Sequence, residues 1–378
     1  VKMDFSKEEM QRYSRHLVLP GIGKEGQRKL KEACVLAVGA GGLGCPSLLY
    51  LAAAGVGKIG IVDADRVDVS NLQRQVAFSV EDVGEMKALA LQKRLRALNP
   101  LIEVEAFPVR LTSENALDIL GAYDIILDGT DNFPTRYLIN DACLLLNRTC
   151  VHASVYRFEG HVSVFNRLRE DGTRGPNYRD LFPEPPPAEQ APNCAEGGVL
   201  GVLTGIIGSI QASEAVKLIT GAGEPLDGKL FIIDSASMRM RTIGLPARGA
   251  HHITQLIDYE AFCQTPTTEE MSHIPTVTAT ELKALMDQGA DIQLIDVREP
   301  HEHEFCNIGG ELIPMGEVLQ NLDHIDHDKQ VVVYCHSGRR SGNVVRVLQA
   351  NFGYDNLYNL RGGILSWSDE VDPRVPKY

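Results

Sequence analysis

The chain has 378 residues, 44% of them apolar and 23% charged, which is too much material for one ordinary core and ample for two. Its 37 basic and 50 acidic side chains leave a net charge of −13, which argues against nucleic acid or an anionic membrane as main partner. The excess is not confined to a tail. From residue 275 onward there are 16 Asp/Glu against 9 Lys/Arg, a net of −7 that leaves −6 for the rest.

Residues 1–7 are polar and charged and lack the apolar centre of a signal peptide. The longest apolar run, 198–210, is too short to span a bilayer. Eight cysteines are scattered without the density of a disulfide scaffold, and no C-x-x-C occurs. Reduced thiols in a cytoplasmic protein are the expectation.

In chain order, residues 35–38, 59–62, 125–127 and 231–233 read as buried strands separated by helical patterns. Residues 86–98 form an amphipathic helix that stops at Asn99-Pro100. This alternation predicts a mostly parallel, doubly wound α/β sheet of Rossmann-like type. Residues 171–197 hold Pro183, Pro185, Pro186, Pro187 and Pro192 and read as a long irregular loop, the kind that is functional or disordered. After a second break the alternation restarts, with strands at 292–295 and 331–334 and a helix at 340–350. The expected organisation is a larger α/β domain over 1–247, a linker over 248–274, and a smaller α/β domain over 275–378.

Gly39-Ala40-Gly41-Gly42-Leu43-Gly44 follows the first strand and opens a helix, and Asp63 closes the next strand. Glycines permit close approach of phosphates, the helix N-terminus favours anions, and the acid accepts from a ribose hydroxyl. That fingerprint alone fits NAD as well as ATP. Further polar groups fall at later strand ends: Ser70-Asn71-Leu72-Gln73-Arg74-Gln75, Lys87, and Asp128-Gly129-Thr130-Asp131-Asn132. Arg74 and Lys87 suit phosphates, and the Asp131 carboxylate suits Mg²⁺ bridging them. Together with Ser70, Asn71 and Asn132 they suit attack by a carboxylate on an α-phosphate, where neutralisation and in-line positioning supply most of the acceleration.

Over roughly residues 8–245 the chain resembles the MoeB/ThiF family, relatives of the ubiquitin-activating enzymes. The motifs are Arg12-Tyr13-Ser14-Arg15, the glycine loop, Asp63-Ala64-Asp65, the SNLQRQ run, Lys87 and DGTDN. The resemblance implies that Gly42, Asp63, Asn71, Arg74, Lys87 and Asp131 bind ATP or its Mg²⁺. It also implies that Arg15 reaches the phosphates of a partner subunit in a homodimer. The implied substrate is the C-terminal glycine of a small ubiquitin-like sulfur carrier, MoaD/ThiS-like and ending in Gly-Gly. Many family members carry two C-x-x-C pairs for structural zinc. Here Asn177-Tyr178-Arg179-Asp180 stands where the first should fall, and none follows Gly244. A zinc-free variant held by packing is expected.

Cys194 lies in the irregular loop, and a thiolate there could attack an acyl-adenylate; the resemblance points the same way. Cys34, Cys45, Cys143 and Cys150 read as buried and inert, while Cys263 and Cys306 stay undecided. Cys335 is different. It follows a strand, and Cys335-His336-Ser337-Gly338-Arg339-Arg340-Ser341 leads into a helix. Consecutive backbone N–H groups and two arginines there would cradle an anionic sulfur. A phosphatase needs five residues between Cys and Arg; here four separate Cys335 from Arg340 and position 341 is Ser.

Residues 275–378 resemble rhodanese domains through Leu294-Ile295-Asp296-Val297-Arg298, the Cys335 loop, and Leu360-Arg361-Gly362-Gly363-Ile364-Leu365-Ser366-Trp367. By that resemblance Cys335 carries a persulfide, taken from a donor such as thiosulfate or a cysteine desulfurase, and Asp296 and Arg298 are structural supports. The whole is similar to MoeB–rhodanese fusions. It implies adenylation of the carrier with ATP, then delivery of sulfur to form a thiocarboxylate. An NAD-dependent oxidoreductase fused to a sulfurtransferase leaves SNLQRQ and DGTDN unexplained, and a non-catalytic sulfide-sensing scaffold leaves Asp131 and Cys335 idle. Neither carrier nor pathway is legible.

Overall fold

The computed structural model describes residues 5–186, 198–246, 253–263 and 274–378. They fall into two compact units that divide after Cys263. Cys194 lies outside the described residues, as does most of the expected linker.

The first unit is built on one sheet of eight strands: β1 (Cys34–Val38), β2 (Lys58–Val62), β3 (Glu103–Phe107), β4 (Ile125–Asp128), β5 (Thr149–Tyr156), β6 (Glu159–Phe165), β7 (Lys229–Asp234) and β8 (Arg239–Gly244). Their order across the sheet is β3-β2-β1-β4-β5-β6-β7-β8. β1 is apolar throughout because both faces are covered. Val35 and Ala37 join one core with Leu48, Leu91 and Ile207, while Leu36 and Val38 join another with Leu138 and Ile139. The strands are parallel from β3 to β5, then antiparallel from β5 to β8. The five parallel strands are the expected doubly wound core, and the antiparallel strands β6 to β8 extend it on one side. β5 and β6 are joined by a tight turn at Arg157 (φ 52°) rather than by a crossover helix.

The helix Gly201–Thr220 is long and apolar enough, by length and composition, to cross a membrane. Here Leu203, Ile207, Ala212 and Ala215 are buried in the core against β5 and β6 strands. Gln211 fastens it, donating from Nε2 to the carbonyls of Asp128 and Val151 at 2.8 Å each and accepting from Ser47 Oγ at 2.8 Å.

Where a C-x-x-C pair was the family expectation, Asn177 and Asp180 instead form a capping box around the short helix Tyr178–Leu181. Buried beside it, Arg179 holds Asp141 in a bidentate pair with both bonds at 2.8 Å, and the Tyr259 hydroxyl donates to the same carboxylate at 2.7 Å. The Arg179 guanidinium also lies over the rings of Tyr137 and Phe262. Residues 253–263, expected in the linker, are therefore packed into the first unit.

The second unit is a sheet of five parallel strands: β9 (Thr276–Val277), β10 (Ile292–Asp296), β11 (Glu311–Leu312), β12 (Gln330–Tyr334) and β13 (Leu357–Leu360), ordered β11-β10-β12-β13-β9. Central β12 is covered on both faces: Val331 and Val333 enter one core, Val332 and Tyr334 the other.

Candidate active sites

In the first unit the strand order reverses between β1 and β4. Loops leaving the carboxyl ends of two such strands diverge and open a crevice. A cavity of about 500 Å³ lies there, a size suited to a nucleotide. Gly39, Gly41, Gly42, Asp63, Asn71, Arg74, Lys87, Asp131 and Asn132 line it, nine of the twelve residues the sequence nominated. Gly44, Ser70 and Arg15 do not. Gly44 is structural: a Cβ there would lie 2.0 Å from the Gly39 carbonyl oxygen, so only glycine lets the helix Gly44–Ala54 start against the loop. Gly41 is the opposite case, with nothing nearer its Cβ position than Gln75 Nε2 at 3.6 Å. Ser70 turns away to donate to Asp68 at 2.6 Å, and Arg15 is exposed on the helix Ser14–Leu17.

The lining is prearranged. Asp63 accepts from the backbone N–H of Ala40 at 2.7 Å and of Asp65 at 2.8 Å. Burial pushes its carboxyl above the usual carboxylate range despite nearby Lys87. Each oxygen keeps a second lone pair for a ribose hydroxyl. Buried Lys87 is aimed by Asp65, 2.9 Å away. Asn132 caps the helix Phe133–Leu145 by accepting from Thr135 N–H at 3.0 Å. This places Asp131, exposed, one residue before the cap at the cavity wall. Beneath the loop Asp128 accepts from Thr130 Oγ1 at 2.6 Å and meets His152 Nδ1 at 2.7 Å. Burial works to raise the Asp128 carboxyl, but His152 overrides it and holds the group below its usual range.

Sequence reasoning missed Arg110, Thr204 and Arg136. Arg136 donates to the Thr130 carbonyl at 2.9 Å and faces the same cavity. Its spacing, four residues after the helix cap Asn132, was a usable signal. Arg110 and Thr204 sit in no motif.

In the second unit Cys335 follows β12 and is 1% exposed. Gly338 N–H donates to its Sγ at 3.2 Å, and Ser341 Oγ lies 3.3 Å from the same sulfur. Gly338 adopts φ +85°, and a Cβ there would press against Gly362 N and the Leu360 carbonyl at 3.0 and 3.1 Å. Ile364 N–H donates to the Cys335 carbonyl at 2.9 Å, closing the loop from above. The two arginines are not where the sequence put them. Arg340 turns away into a bidentate pair with Glu302 at 2.6 and 2.7 Å, and Arg339 is exposed. The groups within hydrogen-bond distance of the sulfur are therefore a backbone N–H and a hydroxyl rather than a guanidinium, which does not favour a phosphatase, where Arg faces the substrate.

Asp296 and Arg298 form a buried ion pair at the carboxyl end of β10. Arg298, wholly buried, grips Asp296 through Nε at 2.9 Å and Nη2 at 2.6 Å, and donates to the Cys306 carbonyl and the Tyr378 hydroxyl at 2.8 Å each. His336 Nε2 donates to the Tyr378 carbonyl at 2.9 Å, and burial pushes its imidazole toward the neutral form. The other described cysteines, Cys34, Cys45, Cys143, Cys150, Cys263 and Cys306, are free thiols. Burial pushes Cys45 and Cys263 up to about 12, which keeps them protonated and inert.

Burial works to raise the Glu302 carboxyl, but Arg340 overrides it and holds the group below the usual carboxylate range. That stabilisation is present above the unfolded pKa of about 4.3 and is lost as pH falls through the lower folded value. Glu302→Gln removes the charged half of this bidentate pair and should cost about 3 kcal/mol at neutral pH. The difference from the parent should shrink on acidification below about pH 4. The single tryptophan, Trp367, is buried in this unit, so its fluorescence in a denaturant titration of the full chain is the measurement. Equal midpoints at pH 7 would refute it.

The ThiF family model matches residues 13–252, and the rhodanese-like domain model matches residues 278–370. The probable adenylyltransferase/sulfurtransferase MoeZ of Mycobacterium tuberculosis is 47% identical over 99% of this chain and 96% of its own length. The sulfur carrier protein adenylyltransferase of Thermus thermophilus is 54% identical over 69% of this chain and 99% of its own. Among solved structures, Escherichia coli MccB with ATP aligns at a TM-score of 0.55 and 22% identity, covering 67% of this chain and 74% of MccB, which speaks to the fold. This chain therefore belongs to the ThiF family, and with its rhodanese-like domain it is an enzyme of the adenylyltransferase/sulfurtransferase type.

Proposed function

We propose that the enzyme uses ATP to adenylate the C-terminal glycine of a ubiquitin-like sulfur carrier and then converts the adenylate to a thiocarboxylate with persulfide sulfur held on Cys335. The observation that carries the reading is that one chain holds both a built nucleotide crevice and a built sulfur cradle. In the first reaction a carboxylate oxygen of the carrier attacks the α-phosphorus, the new O–P bond forms, and pyrophosphate leaves with the electron pair of the broken one. Lys87 and Arg74 neutralise the phosphates, Asp63 holds the ribose, and the glycine loop offers backbone N–H groups at a helix N-terminus. The exposed Asp131 carboxylate, a hard oxygen donor at the cavity wall, fits Mg²⁺ on the triphosphate. Magnesium would supply charge neutralisation when bound.

In the second reaction the outer persulfide sulfur attacks the carbonyl carbon and AMP leaves. The carrier is then joined to Cys335 through an acyl disulfide. A second thiolate that takes the Cys335 sulfur frees the thiocarboxylate and leaves a disulfide for an external thiol to reduce; Cys194 is assigned that role. Free thiols throughout the described residues suit a cytoplasmic enzyme. ATP–pyrophosphate exchange stimulated by a candidate carrier tests the reading, and exchange that is absent with every carrier ending in Gly-Gly would reject it.

The protein is assigned as a homodimer in which Arg15 serves the partner's nucleotide. Its exposure outside the crevice of its own chain supports this. Mixing equal amounts of Arg15→Ala and Asp131→Ala protein should restore about a quarter of parental exchange, since roughly half of the dimers are mixed and each of these regains one of its two sites. A mixture as inactive as its parents, after confirmed subunit exchange, would refute the shared site.

No structural zinc is assigned. Asn177 and Asp180 are occupied in a capping box, and no cluster of three metal-binding side chains occurs among the described residues. Elemental analysis should give well under 0.1 zinc per chain, roughly the background for a protein without thiolate ligands; about one zinc per chain after chelation would overturn this.

A further inference from the structure

Around Cys335 four groups close a ring. Gly338 N–H donates to Sγ at 3.2 Å, and Ser341 Oγ lies 3.3 Å from Sγ. Ser341 Oγ also lies 2.7 Å from Asn359 Oδ1, and Asn359 Nδ2 donates to the Gly338 carbonyl at 3.0 Å. Ser341 is 0% exposed, Cys335 1% and Asn359 3%, so these bonds are shielded from bulk solvent. Both groups that face the sulfur are thus held from behind by one carboxamide on β13. A hydroxyl has a single proton, and here it has two possible acceptors, the amide oxygen and the sulfur. The shorter contact takes it while the sulfur is a neutral thiol. An anionic sulfur is the stronger acceptor and draws it over.

We propose that Asn359 is a positioning residue for sulfur transfer, holding Ser341 and the Gly338 peptide as the paired donors to Cys335. This rests on the reading that Cys335 carries the persulfide. With thiosulfate the Cys335 thiolate attacks the sulfane sulfur, the new S–S bond forms, and sulfite departs with the electron pair of the old one. The negative charge moves onto the terminal sulfur while Sγ stays between its two donors. A neutral amide is needed at position 359. It accepts from Ser341 weakly enough to release the proton, and it donates to Gly338, which a carboxylate cannot do.

The test is the rate of Cys335 alkylation by iodoacetamide, together with single-turnover persulfide formation from thiosulfate, on the full-length protein. Asn359→Ala should slow both about tenfold, the value of roughly one charge-assisted hydrogen bond. Asn359→Asp, of equal size, should slow them further, because it keeps the Ser341 proton and places charge beside the sulfur. The thiosulfate KM and ATP–pyrophosphate exchange should stay within about twofold of parental, since uniform binding is untouched. Because Asn359 acts partly through Ser341, the double variant Asn359→Ala/Ser341→Ala should lose less than the product of the single losses. If Asn359→Ala unfolds, as Trp367 fluorescence would report, the isosteric Asn359→Asp carries the test. Parental rates in a folded Asn359→Asp protein, or fully multiplicative losses in the double variant, would overturn the proposal. Sulfur transfer that survives Cys335→Ser would instead refute the persulfide reading beneath it.

Discussion

Replacing Cys335 by alanine should abolish thiosulfate sulfurtransferase activity and thiocarboxylate formation from that donor, while carrier-dependent ATP–pyrophosphate exchange continues at the parental rate. The sulfur is the atom that forms the new S–S bond, so nothing is left to receive it. Alanine fills most of the same buried space, and the donors at Gly338 and Ser341 lose only a weak acceptor. The nucleotide crevice is lined wholly by residues of the first unit, so adenylation has no reason to suffer. Cys194→Ala should fail differently. It should keep both half-reactions and accumulate carrier joined covalently to Cys335, because the acyl disulfide lacks an internal thiolate to break it. Mass spectrometry separates the cases, since a thiocarboxylate adds about 16 Da to the carrier and an acyl disulfide adds the whole enzyme (simple stoichiometry). Full thiocarboxylate yield with Cys194→Ala would make that cysteine a bystander. Persulfide on Cys194 rather than on Cys335 after thiosulfate treatment would reverse the order of transfer.

What was legible in the sequence and what was not follows from how locally each feature is determined. Gly41, Asp63, Lys87 and Asp131 were readable because a strand end, a turn glycine and a helix start each demand a particular residue type at a particular place. Asp65 was visible as part of a motif, but its task is to aim Lys87 across 22 positions of chain, a pairing no local pattern states. Arg340 was misplaced for the same reason. Its neighbours in sequence are Cys335 and Ser341, yet its charge belongs to Glu302, 38 residues earlier, whose burial has no signature in composition or period. β8 escaped notice because all six of its residues are exposed, so alternation between faces left no contrast. The apolar run 198–210 read as too short to span a bilayer because Gln211 and Glu214 interrupt it, yet the helix continues through both to Thr220. Those side chains are buried through partners elsewhere: Gln211 on Asp128 and Val151, Glu214 on Leu226 N–H. The fold was set by period and turn chemistry, while the site was completed by long-range pairs.

Asp131→Ala should lower carrier-dependent ATP–pyrophosphate exchange by at least about 10³-fold, the effect of roughly 4 kcal/mol of lost transition-state stabilisation. Asp131 lies between Thr130, tied to the buried Asp128–His152 pair, and Asn132, which caps the helix Phe133–Leu145. Its backbone is therefore fixed from both sides by groups that the substitution leaves alone. Among the described residues its carboxylate makes no hydrogen bond or ion pair, in contrast to Asp63, Asp65 and Asp128, each of which holds backbone or a cation. A loss of function without loss of stability is thus expected, and the melting behaviour of the first unit should match the parent. Asp131→Asn sharpens the assignment: it keeps size and polarity but removes the charge, and should remain within about tenfold of the alanine variant if the carboxylate serves as a magnesium ligand. Raising magnesium should recover part of the asparagine variant's activity and little of the alanine variant's. Thiosulfate sulfurtransferase activity should be unchanged in both. Near-parental exchange in Asp131→Ala would remove this residue from the adenylation chemistry and shift the metal-binding role to the other carboxylates of the crevice, Asp63 and Asp65.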